Sequence, residues 1–471
     1  MSTTWDLVVV GAGTAGIPAA IFGARRGLRV LAVEKSHQVG GTLYLSGGQM
    51  SAAGTRHQRR YGVEDTPEEH FRDVMAFSEG KANRDLVRLA TANAADTIDW
   101  LDDLGFDFSP ECPAPTVHYH HNPYSKARMH WGNRAGYSIL DLIVPEVDAL
   151  VSGGSIGLAL DTALVGLDRG GDGSWGVRLR GPDGDSEHAA RAVALTAGGY
   201  TANPAMFREV SHGRLVSPGL TTVTGDAHRI VTGLGGSLRN GERWLPTFGG
   251  IEDPATPHRA LHTDYWAALT PQVRPPWEIY VNTAGRRFMS EEEGDEVTRG
   301  RALRAQEGHV FWVVFDETIL DRAPVILPTW GADGLRSRAG DTPPVLKGDS
   351  LKELAMAAGI DPAGLEATVS AYNGAVGGEP DGLGRRHLPL PIVTPPFFAV
   401  ENHATTLRTP GGVTVDGRLQ VLDAEGRPFG GLYAAGEVLG SAVFSGGGAA
   451  AGMSITPAMT FGRLLGSSLV S

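Results

Sequence analysis

Short apolar runs and one helical stretch alternate at the start of the chain. Residues 7–10 read Leu-Val-Val-Val, a continuous apolar run that is typical of a strand buried on both faces of a sheet. Residues 17–26 are rich in alanine and predict a helix, which Gly27 can end. Residues 29–33 predict a second strand. The pattern therefore predicts a βαβ unit, and the chain is expected to be of the α/β class.

The turn between the first strand and the helix is rich in glycine. It reads Gly11-Ala12-Gly13-Thr14-Ala15-Gly16, which is a GxGxxG spacing. In such a turn one glycine allows the tight bend, one lets backbone N–H groups approach a pyrophosphate, and one lets helix and strand pack closely. The helix N-terminus favours the phosphate charge. Glu34 ends the second strand, where a carboxylate can accept hydrogen bonds from an adenosine ribose. This context predicts a dinucleotide site that fits both NAD and FAD.

A second glycine-rich stretch favours FAD. Lys35 follows Glu34, and after it come Gly40-Gly41-Thr42 and Ser46-Gly47-Gly48. The long ribityl chain and ring system of a flavin require a second loop of this kind, and we therefore expect FAD.

Composition and charge exclude several other classes of protein. The 471 residues allow two or three domains, and 41% hydrophobic with 20% charged residues is an ordinary globular composition. A net charge of −12 makes nucleic acid an unexpected partner. The single cysteine, Cys112, excludes an intramolecular disulfide and a thiolate metal cluster. The sequence shows no basic leader and no apolar run long enough for a membrane span, so we expect a cytoplasmic protein.

Six segments, taken in order, resemble one flavoprotein family. That family contains fumarate reductase, succinate dehydrogenase and the 3-ketosteroid dehydrogenases. The resemblance extends from residue 5 to about residue 466 and rests on VVVGAGTAG, VEKSHQVGGTLYLSGG, LTAGGY, TGDAHRI, GLYAAGEVLG and PAMTFGRLLG. The last segment is closest to the 3-ketosteroid dehydrogenases.

The resemblance implies an α/β chain of two domains. An FAD-binding Rossmann-like domain of the glutathione-reductase type would comprise residues 1–252 and 400–471. An inserted α+β cap domain would comprise residues 253–399, with the substrate between the cap and the flavin.

The resemblance also implies which residues contact FAD. They are Gly11, Gly13, Ala15, Gly16, Glu34, Lys35, Gly41, Thr42, Ser46, Gly47, Gly48, Ala163, Ala197, Gly198, Asp226, Gly436, Glu437, Ser454 and Ile455. In members with covalent FAD, a histidine lies seven residues before the penultimate glycine of the second loop. Here that position is Gly41, which implies noncovalent FAD.

The chemistry implied is hydride transfer between the flavin and a carbon near a carbonyl group, while one side chain handles the neighbouring proton. We expect a small-molecule carbonyl substrate and α,β-dehydrogenation, in a cyclic ketone or steroid-like compound. One alternative is the reverse reaction, reduction of an enone or enoate; another is an FAD-binding protein without catalysis. The electron acceptor or donor is left open.

The acid/base position departs from the family pattern. In the fumarate reductases an arginine lies seven residues after the Phe of a (G/K)RF-x-(N/S)-E motif, and in the ketosteroid dehydrogenases a tyrosine takes that place. Here the motif ends Arg287-Phe288-Met289-Ser290-Glu291, and the position falls on Asp295. A buried carboxylate is a possible general base. Residues 291–296 are an acidic run, which is more typical of a solvated face, and a shifted loop would present Arg299 or Arg301 instead.

Candidate substrate contacts come from the C-terminal part and from the cap. Arg408 stands where the fumarate reductases have a histidine before TxGG, while their clamping arginine falls on Ala449. Phe444-Ser445-Gly446-Gly447-Gly448 resembles the YPGPG of the ketosteroid dehydrogenases, which leaves the Gly448 N–H to hold a keto oxygen. Further candidates are Tyr119 and His121 as catalytic groups, and Arg128, Tyr280 and Phe444 as substrate contacts. No metal site is expected, because suitably spaced ligands are not evident.

Overall fold

A computed structural model describes residues 4–117, 122–261, 265–340 and 342–469. The candidates Tyr119 and His121 therefore lie outside the described residues. The predicted βαβ unit is confirmed by strand β1 (Thr4–Val10), helix α1 (Gly16–Arg25) and strand β2 (Val30–Val33).

The central sheet has eight strands and a mostly parallel middle. β1 pairs in parallel with β2 on one side and with β8 on the other, and Leu7 to Val9 are completely buried. Apolar side chains on both faces suit a sheet covered on both sides. The path runs β18 (Gln420–Leu422), β19 (Pro428–Ala434), β8 (Gly184–Leu195), β1, β2 and β5 (Ile156–Ala159), with β7 (Trp175–Gly181) and β6 (Ala163–Arg169) attached beside β8.

The C-terminal segment completes the lobe that the N-terminal segment begins. β19 joins β8 in parallel, with Leu432 opposite Val193. Helix α15 (Ile455–Leu464) then packs against α1, where a Cβ at Gly462 would lie 2.0 Å from the Ala15 carbonyl oxygen. Only glycine allows the two helices to approach so closely. The two ends of the chain therefore form one layered α/β unit.

A second, antiparallel sheet forms the other lobe. It takes the order β10 (Thr247–Gly250), β16 (Phe397–Thr405), β14 (Val310–Asp316) and β13 (Ile279–Val281), with β15 (Val345–Gly348) also paired to β16. The sheet uses residues on both sides of the expected cap bounds, since residues 399 and 400 lie within one strand. The division at 252/253 and 399/400 stays a prediction.

Short strand pairs and helices complete the structure. The pairs are β3 (Met50–Ser51) with β4 (Met129–His130), β9 (Leu238–Arg239) with β17 (Gly412–Val413), and β11 (Glu252–Asp253) with β12 (Thr256–Ala260). The helices are α2 (Arg56–Arg60), α3 (Pro67–Phe77), α4 (Arg84–Asp103), α5 (Tyr137–Ser152), α6 (Pro204–Ser211), α7 (Asp226–Gly233), α8 (Tyr265–Ala268), α9 (Glu296–Arg304), α10 (Glu317–Arg322), α11 (Gly331–Arg338), α12 (Leu351–Ala358), α13 (Pro362–Val376) and α14 (Ala442–Ser445), with 3₁₀ turns at Gly41–Leu45, Glu307–His309 and Gly436–Leu439 and a π turn at Leu465–Leu469. Within the described ranges, no helix combines the length and the apolar character that a bilayer crossing needs.

Candidate active site

A cavity of about 530 Å³ runs between the two lobes. Most of the residues predicted to contact FAD lie in its wall: Gly11, Gly13, Ala15, Glu34, Lys35, Gly41, Thr42, Ser46, Gly47, Ala163, Ala197, Gly198, Asp226, Gly436, Glu437, Ser454 and Ile455. Gly16 and Gly48 lie outside this wall.

The three glycines of the first turn are required for different reasons. A Cβ at Gly11 would lie 2.6 Å from the Thr196 carbonyl oxygen, and one at Gly16 would lie 1.8 Å from the Gly11 carbonyl oxygen. At both positions, protein atoms therefore occupy the space that a Cβ would need. A Cβ at Gly13 would meet nothing nearer than the Gly41 Cα, at 3.7 Å. The space above Gly13 is open cavity, as a pyrophosphate needs.

Gly48 has a structural reason of its own. Its φ is +71°, and a Cβ there would lie 2.4 Å from the Ala135 carbonyl oxygen. The glycine therefore allows the second loop to pack against the residues that precede α5. This packing accounts for the glycine without a ligand, and the contact of Gly48 with the cofactor stays a prediction.

Polar side chains hold one end of the cavity. Glu34 Oε2 accepts a hydrogen bond of 2.9 Å from the Ala12 N–H, which ties the end of β2 to the glycine turn. Lys35 Nζ lies 2.8 Å from Asp226 Oδ2, so these two wall residues neutralise each other. Ala163 belongs to the same end, because the Thr162 N–H donates to the Glu34 carbonyl.

Glu437 lies deep in the wall, directly after β19. Its Oε1 accepts hydrogen bonds from the Thr409 N–H at 2.9 Å and from the Thr409 hydroxyl at 3.1 Å. Burial raises the pKa of this carboxyl above its ordinary value, and the Thr409 hydrogen bonds oppose that rise. A partly buried carboxylate that faces the cavity fits an acceptor for ribityl hydroxyls. Together with the open turn at Gly13, it makes the wall suitable for FAD.

Asp295 does not face the cavity, which corrects the prediction that it is the catalytic base. It is the N-cap of α9, and its carboxylate accepts hydrogen bonds from the N–H groups of Val297 (3.3 Å) and Thr298 (3.1 Å). Such a cap satisfies backbone donors that the helix leaves unpaired. The residues that line the cavity here are Gly294, Glu296, Arg299 and Gly300.

The acidic run before α9 is not a solvated face. Glu291 is fully buried, and its carboxylate pairs with Arg287 at 2.6 Å and with Arg385 at 3.3 Å. Glu292 accepts hydrogen bonds from the Arg386 and His387 N–H groups. The expectation from charge pattern alone is thus wrong, because neighbouring segments of the second lobe supply partners.

Arg299 is the buried cation of the cavity wall. It donates hydrogen bonds to the carbonyls of Leu269 and Glu293, and its guanidinium lies 4.6 Å from the Phe248 ring centroid. Among the described residues, no carboxylate oxygen lies within 4 Å of it. Burial lowers the pKa of Arg299 from its ordinary value. Arg301, the other arginine considered in this loop, instead pairs with Glu79 at 2.6 Å.

The candidates from the C-terminal part of the chain differ in whether they line the cavity. Arg408 is exposed to the cavity and donates a 2.6 Å hydrogen bond to Ser454 Oγ, and the Phe444 ring also lines the wall. Gly448 lies outside the wall, and its N–H donates to the Ser445 carbonyl at 2.8 Å. The prediction that this N–H holds a keto oxygen is therefore corrected, because the loop itself uses the donor.

Two further candidates are buried away from the cavity. Arg128 is completely buried and pairs with Asp65 at 2.9 Å and with Asp73 at 3.2 Å. Tyr280 is 1% exposed and packs in the core of the second lobe, 5.5 Å from the Phe311 ring. Neither residue lines the cavity, and both predictions as substrate contacts are corrected.

Several wall residues carry no motif and were not predicted. They are Leu245, Pro246, Thr247, Phe248, Thr270, Gln272, Glu296, Thr406, Leu407, Ala450, Ala451, Gly452 and Met453. They come from distant segments that meet only after the two lobes pack together, so no local signal marks them.

The mostly parallel sheet, the glycine turn open to the cavity and the partly buried Glu437 define a dinucleotide-binding flavoprotein with a second lobe over the cofactor site. The chain belongs to the family described as FAD binding domain, which matches residues 6–455. Its cofactor is FAD, and the protein is an FAD-dependent oxidoreductase related to the fumarate reductases.

Three known proteins illustrate the relationship. A probable fumarate reductase from Shewanella frigidimarina is 30% identical over 475 residues, covering 99% of this chain and 74% of its own. A 4-oxocyclohexanecarboxylate 2-dehydrogenase from Sinomonas cyclohexanicum is 27% identical over 552 residues, covering 98% and 92%. The structure of a 3-ketosteroid delta1-dehydrogenase from Sterolibacterium denitrificans matches with a TM-score of 0.74 over 99% of both chains, at 21% identity, which supports the fold alone.

Proposed function

We propose that this protein reduces a carbon–carbon double bond conjugated to a carbonyl group, and that Arg299 donates the proton. One observation carries the proposal: on the cap side of the cavity the wall presents a guanidinium, whereas Asp295 is used as a helix cap. The expectation of dehydrogenation came from the resemblance of the C-terminal motifs to the ketosteroid dehydrogenases, with Asp295 as one possible base.

The charge of arginine favours proton donation. A guanidinium stays protonated at any working pH, so it starts the reaction as an acid and not as a base. The wall that contains Gly13 and Glu437 would hold FAD, which in its reduced form would provide a hydride for one carbon of the double bond. The positive charge of Arg299 stabilises the negative charge that develops on the substrate. Arg299 then supplies the proton to the other carbon.

The wall indicates a substrate with an apolar body and one anionic or carbonyl oxygen. Leu245, Phe248, Phe444 and Met453 present apolar surface, and Arg408 presents a second cation on the flavin side. An enone or enoate with an apolar substituent matches both features. The relative named as a probable fumarate reductase supports the reductive direction.

Dehydrogenation of a saturated ketone is the second candidate. It is favoured by the relative named 4-oxocyclohexanecarboxylate 2-dehydrogenase, which aligns with almost the whole of both chains. The same residues would then act in the opposite direction.

Anaerobic stopped-flow spectroscopy tests the direction. FAD is photoreduced in the holoenzyme, which is then mixed with cyclohexenone, cinnamate or crotonate, and the return of oxidised flavin absorbance is followed. We expect reoxidation by at least one of these compounds and no bleaching of oxidised flavin by cyclohexanone. Bleaching by the saturated ketone without reoxidation by the unsaturated compounds would instead support dehydrogenation. No change in either arm would favour an FAD-binding protein without catalysis.

A further inference from the structure

Helix α9 faces both lobes of the protein. Glu296, Arg299 and Gly300 line the cavity, whereas Arg301 reaches the opposite lobe and pairs with Glu79 at 2.6 Å. Gly300 packs directly against the segment that leads into β10, since a Cβ there would lie 2.6 Å from Leu245 Cδ1. Any movement of Arg301 therefore moves Arg299, which is two residues away on the same short helix.

Glu79 is presented by a turn that is packed closely against another loop. It follows α3 with φ of +53°, a conformation that a residue other than glycine seldom adopts. The same turn packs on the loop after α14: a Cβ at Gly446 would lie 2.8 Å from the Ser78 carbonyl oxygen, and one at Gly448 would lie 2.6 Å from that of Phe77. The loop continues into Ala450, Ala451 and Met453 of the cavity wall.

Lys81 is the second cation beside Glu79, at 2.5 Å. Lys81 and Arg301 together hold the pKa of the Glu79 carboxyl at about 2, so the carboxylate stays ionised under all assay conditions. Lys81 belongs to the same turn as Glu79 and makes no link to the cap. Glu79 thus has one partner, Arg301, that connects the two lobes, and one partner, Lys81, that belongs to its own turn.

We infer that Glu79 and Arg301 are positioning residues, which fix α9 and thereby the proton-donating Arg299 over the flavin side of the cavity. Both side chains are about half exposed, so the pair adds little to the free energy of unfolding. The pair matters because of its position between two parts of the chain. Of the ion pairs between two described residues, it is the one that joins residues 4–199 to residues 247–405. The inference rests on the proposed function for the role of Arg299.

The test compares E79Q and R301Q with the control K81Q in the FAD-loaded protein. For the enone or enoate that the wild type reduces, E79Q and R301Q should lower kcat by about tenfold with KM changed less than about twofold, because a small displacement of a reacting group costs rate more than binding. K81Q should keep the wild-type kcat. Raising the salt concentration to 1 M should lower the wild-type kcat towards that of E79Q and leave E79Q unchanged.

Charge exchange separates positioning from a general structural effect. The double variant E79R/R301E should recover most of the lost kcat, whereas each of E79R and R301E alone should be as impaired as E79Q. Equal kcat in wild type, E79Q and R301Q would overturn the inference, and so would a loss in K81Q as large as that in E79Q.

Amide hydrogen exchange tests the link without any turnover. In the FAD-loaded protein, residues 296–304 should exchange faster in E79Q than in the wild type, and K81Q should match the wild type. If the wild type reduces no unsaturated carbonyl compound, the proposed function fails while this measurement still decides on the link. If the wild type does turn over and α9 exchanges equally in all variants, only the link is wrong.

Discussion

Arg299 differs from the other buried arginines of the second lobe in its surroundings. Arg274 pairs with Glu278, and Arg287 and Arg385 pair with Glu291, so each of those charges is neutralised inside the protein. Arg299 has two carbonyl acceptors and an aromatic ring instead, and the Glu293 and Glu296 carboxylates act on it without forming an ion pair. A buried cation that is only partly compensated in this way is stabilised further when a ligand brings negative charge to it. Its position in the cavity wall supplies that opportunity.

At this scale, we expect Arg299→Met to lower kcat by about 10²–10⁴-fold while FAD stays bound, because the variant has no proton to donate. The kcat of Arg299→Lys should lie between that of Arg299→Met and that of the wild type. Steady-state turnover and the flavin absorbance of the purified protein measure the two effects separately.

Asp295→Asn is the matched comparison. Asparagine caps a helix about as well as aspartate, so kcat and Tm should remain close to those of the wild type. A loss of kcat as large as that of Arg299→Met would return Asp295 to the mechanism.

At the scale of elements, the β1–α1 turn shows how one motif contains two kinds of glycine. Gly16 is needed because α1 lies against the turn, where an added Cβ would meet the Gly11 carbonyl. A Cβ at Gly13 would meet no protein atom nearer than the Gly41 Cα at 3.7 Å, so we expect this glycine to keep space for the pyrophosphate.

We therefore expect Gly16→Ala and Gly13→Ala to fail in different ways. Gly16→Ala should lower the free energy of unfolding of the apo protein by about 2 kcal/mol or more, as overpacking does. Gly13→Ala should leave the apo protein as stable as the wild type and weaken FAD binding by about tenfold or more, since a methyl group narrows the pyrophosphate space. Urea unfolding and FAD titration distinguish them. Equal FAD affinity in Gly13→Ala and the wild type would contradict the assignment of this turn.

The C-terminal segment GLYAAGEVLG carried part of the family resemblance, and it forms the end of β19 and the turn after it. Glu437, which the resemblance implied as an FAD contact, lies in the wall of the cavity, and its contact with FAD stays a prediction. The domain limits depended on how far the sheet of the second lobe extends, which a local pattern does not give.

At the scale of the whole molecule, three buried histidines make stability depend on pH. Burial lowers the pKa of His228 to about 4 and that of His130 to about 3, and it holds the pKa of His70 well below its ordinary value. In the unfolded chain these groups titrate near pH 6.5. Below that pH the unfolded state binds more protons, so the stability present above pH 6.5 is lost as the pH falls towards the folded-state values.

We expect the free energy of unfolding to decrease between pH 7 and pH 5, by up to about 1.4 kcal/mol per pH unit for each histidine. The raised pKa of Glu437 acts in the opposite direction, but only near its own titration. Urea unfolding of the FAD-loaded protein at several pH values measures the slope. His228→Gln should reduce the slope of the free energy of unfolding against pH by the contribution of one histidine. A wild-type free energy of unfolding that does not change between pH 7 and pH 5 would contradict this account.

The sequence by itself determined the parts that depend on neighbours along the chain. The first βαβ unit, its glycine turn and Glu34 follow from local apolar runs, backbone conformations that need glycine, and an acid at the end of a strand. These features specify a flavin site because a pyrophosphate is bound by the backbone of one short segment.

Only the tertiary structure decided which side chains face the substrate. Counting along the chain pointed to Asp295, yet α9 begins there and turns Arg299 into the cavity instead. Arg128 and Tyr280 proved to be core residues, because their partners lie on distant segments. Side-chain direction in an irregular loop follows no period, so it is fixed by packing between the two lobes and not by the order of residues.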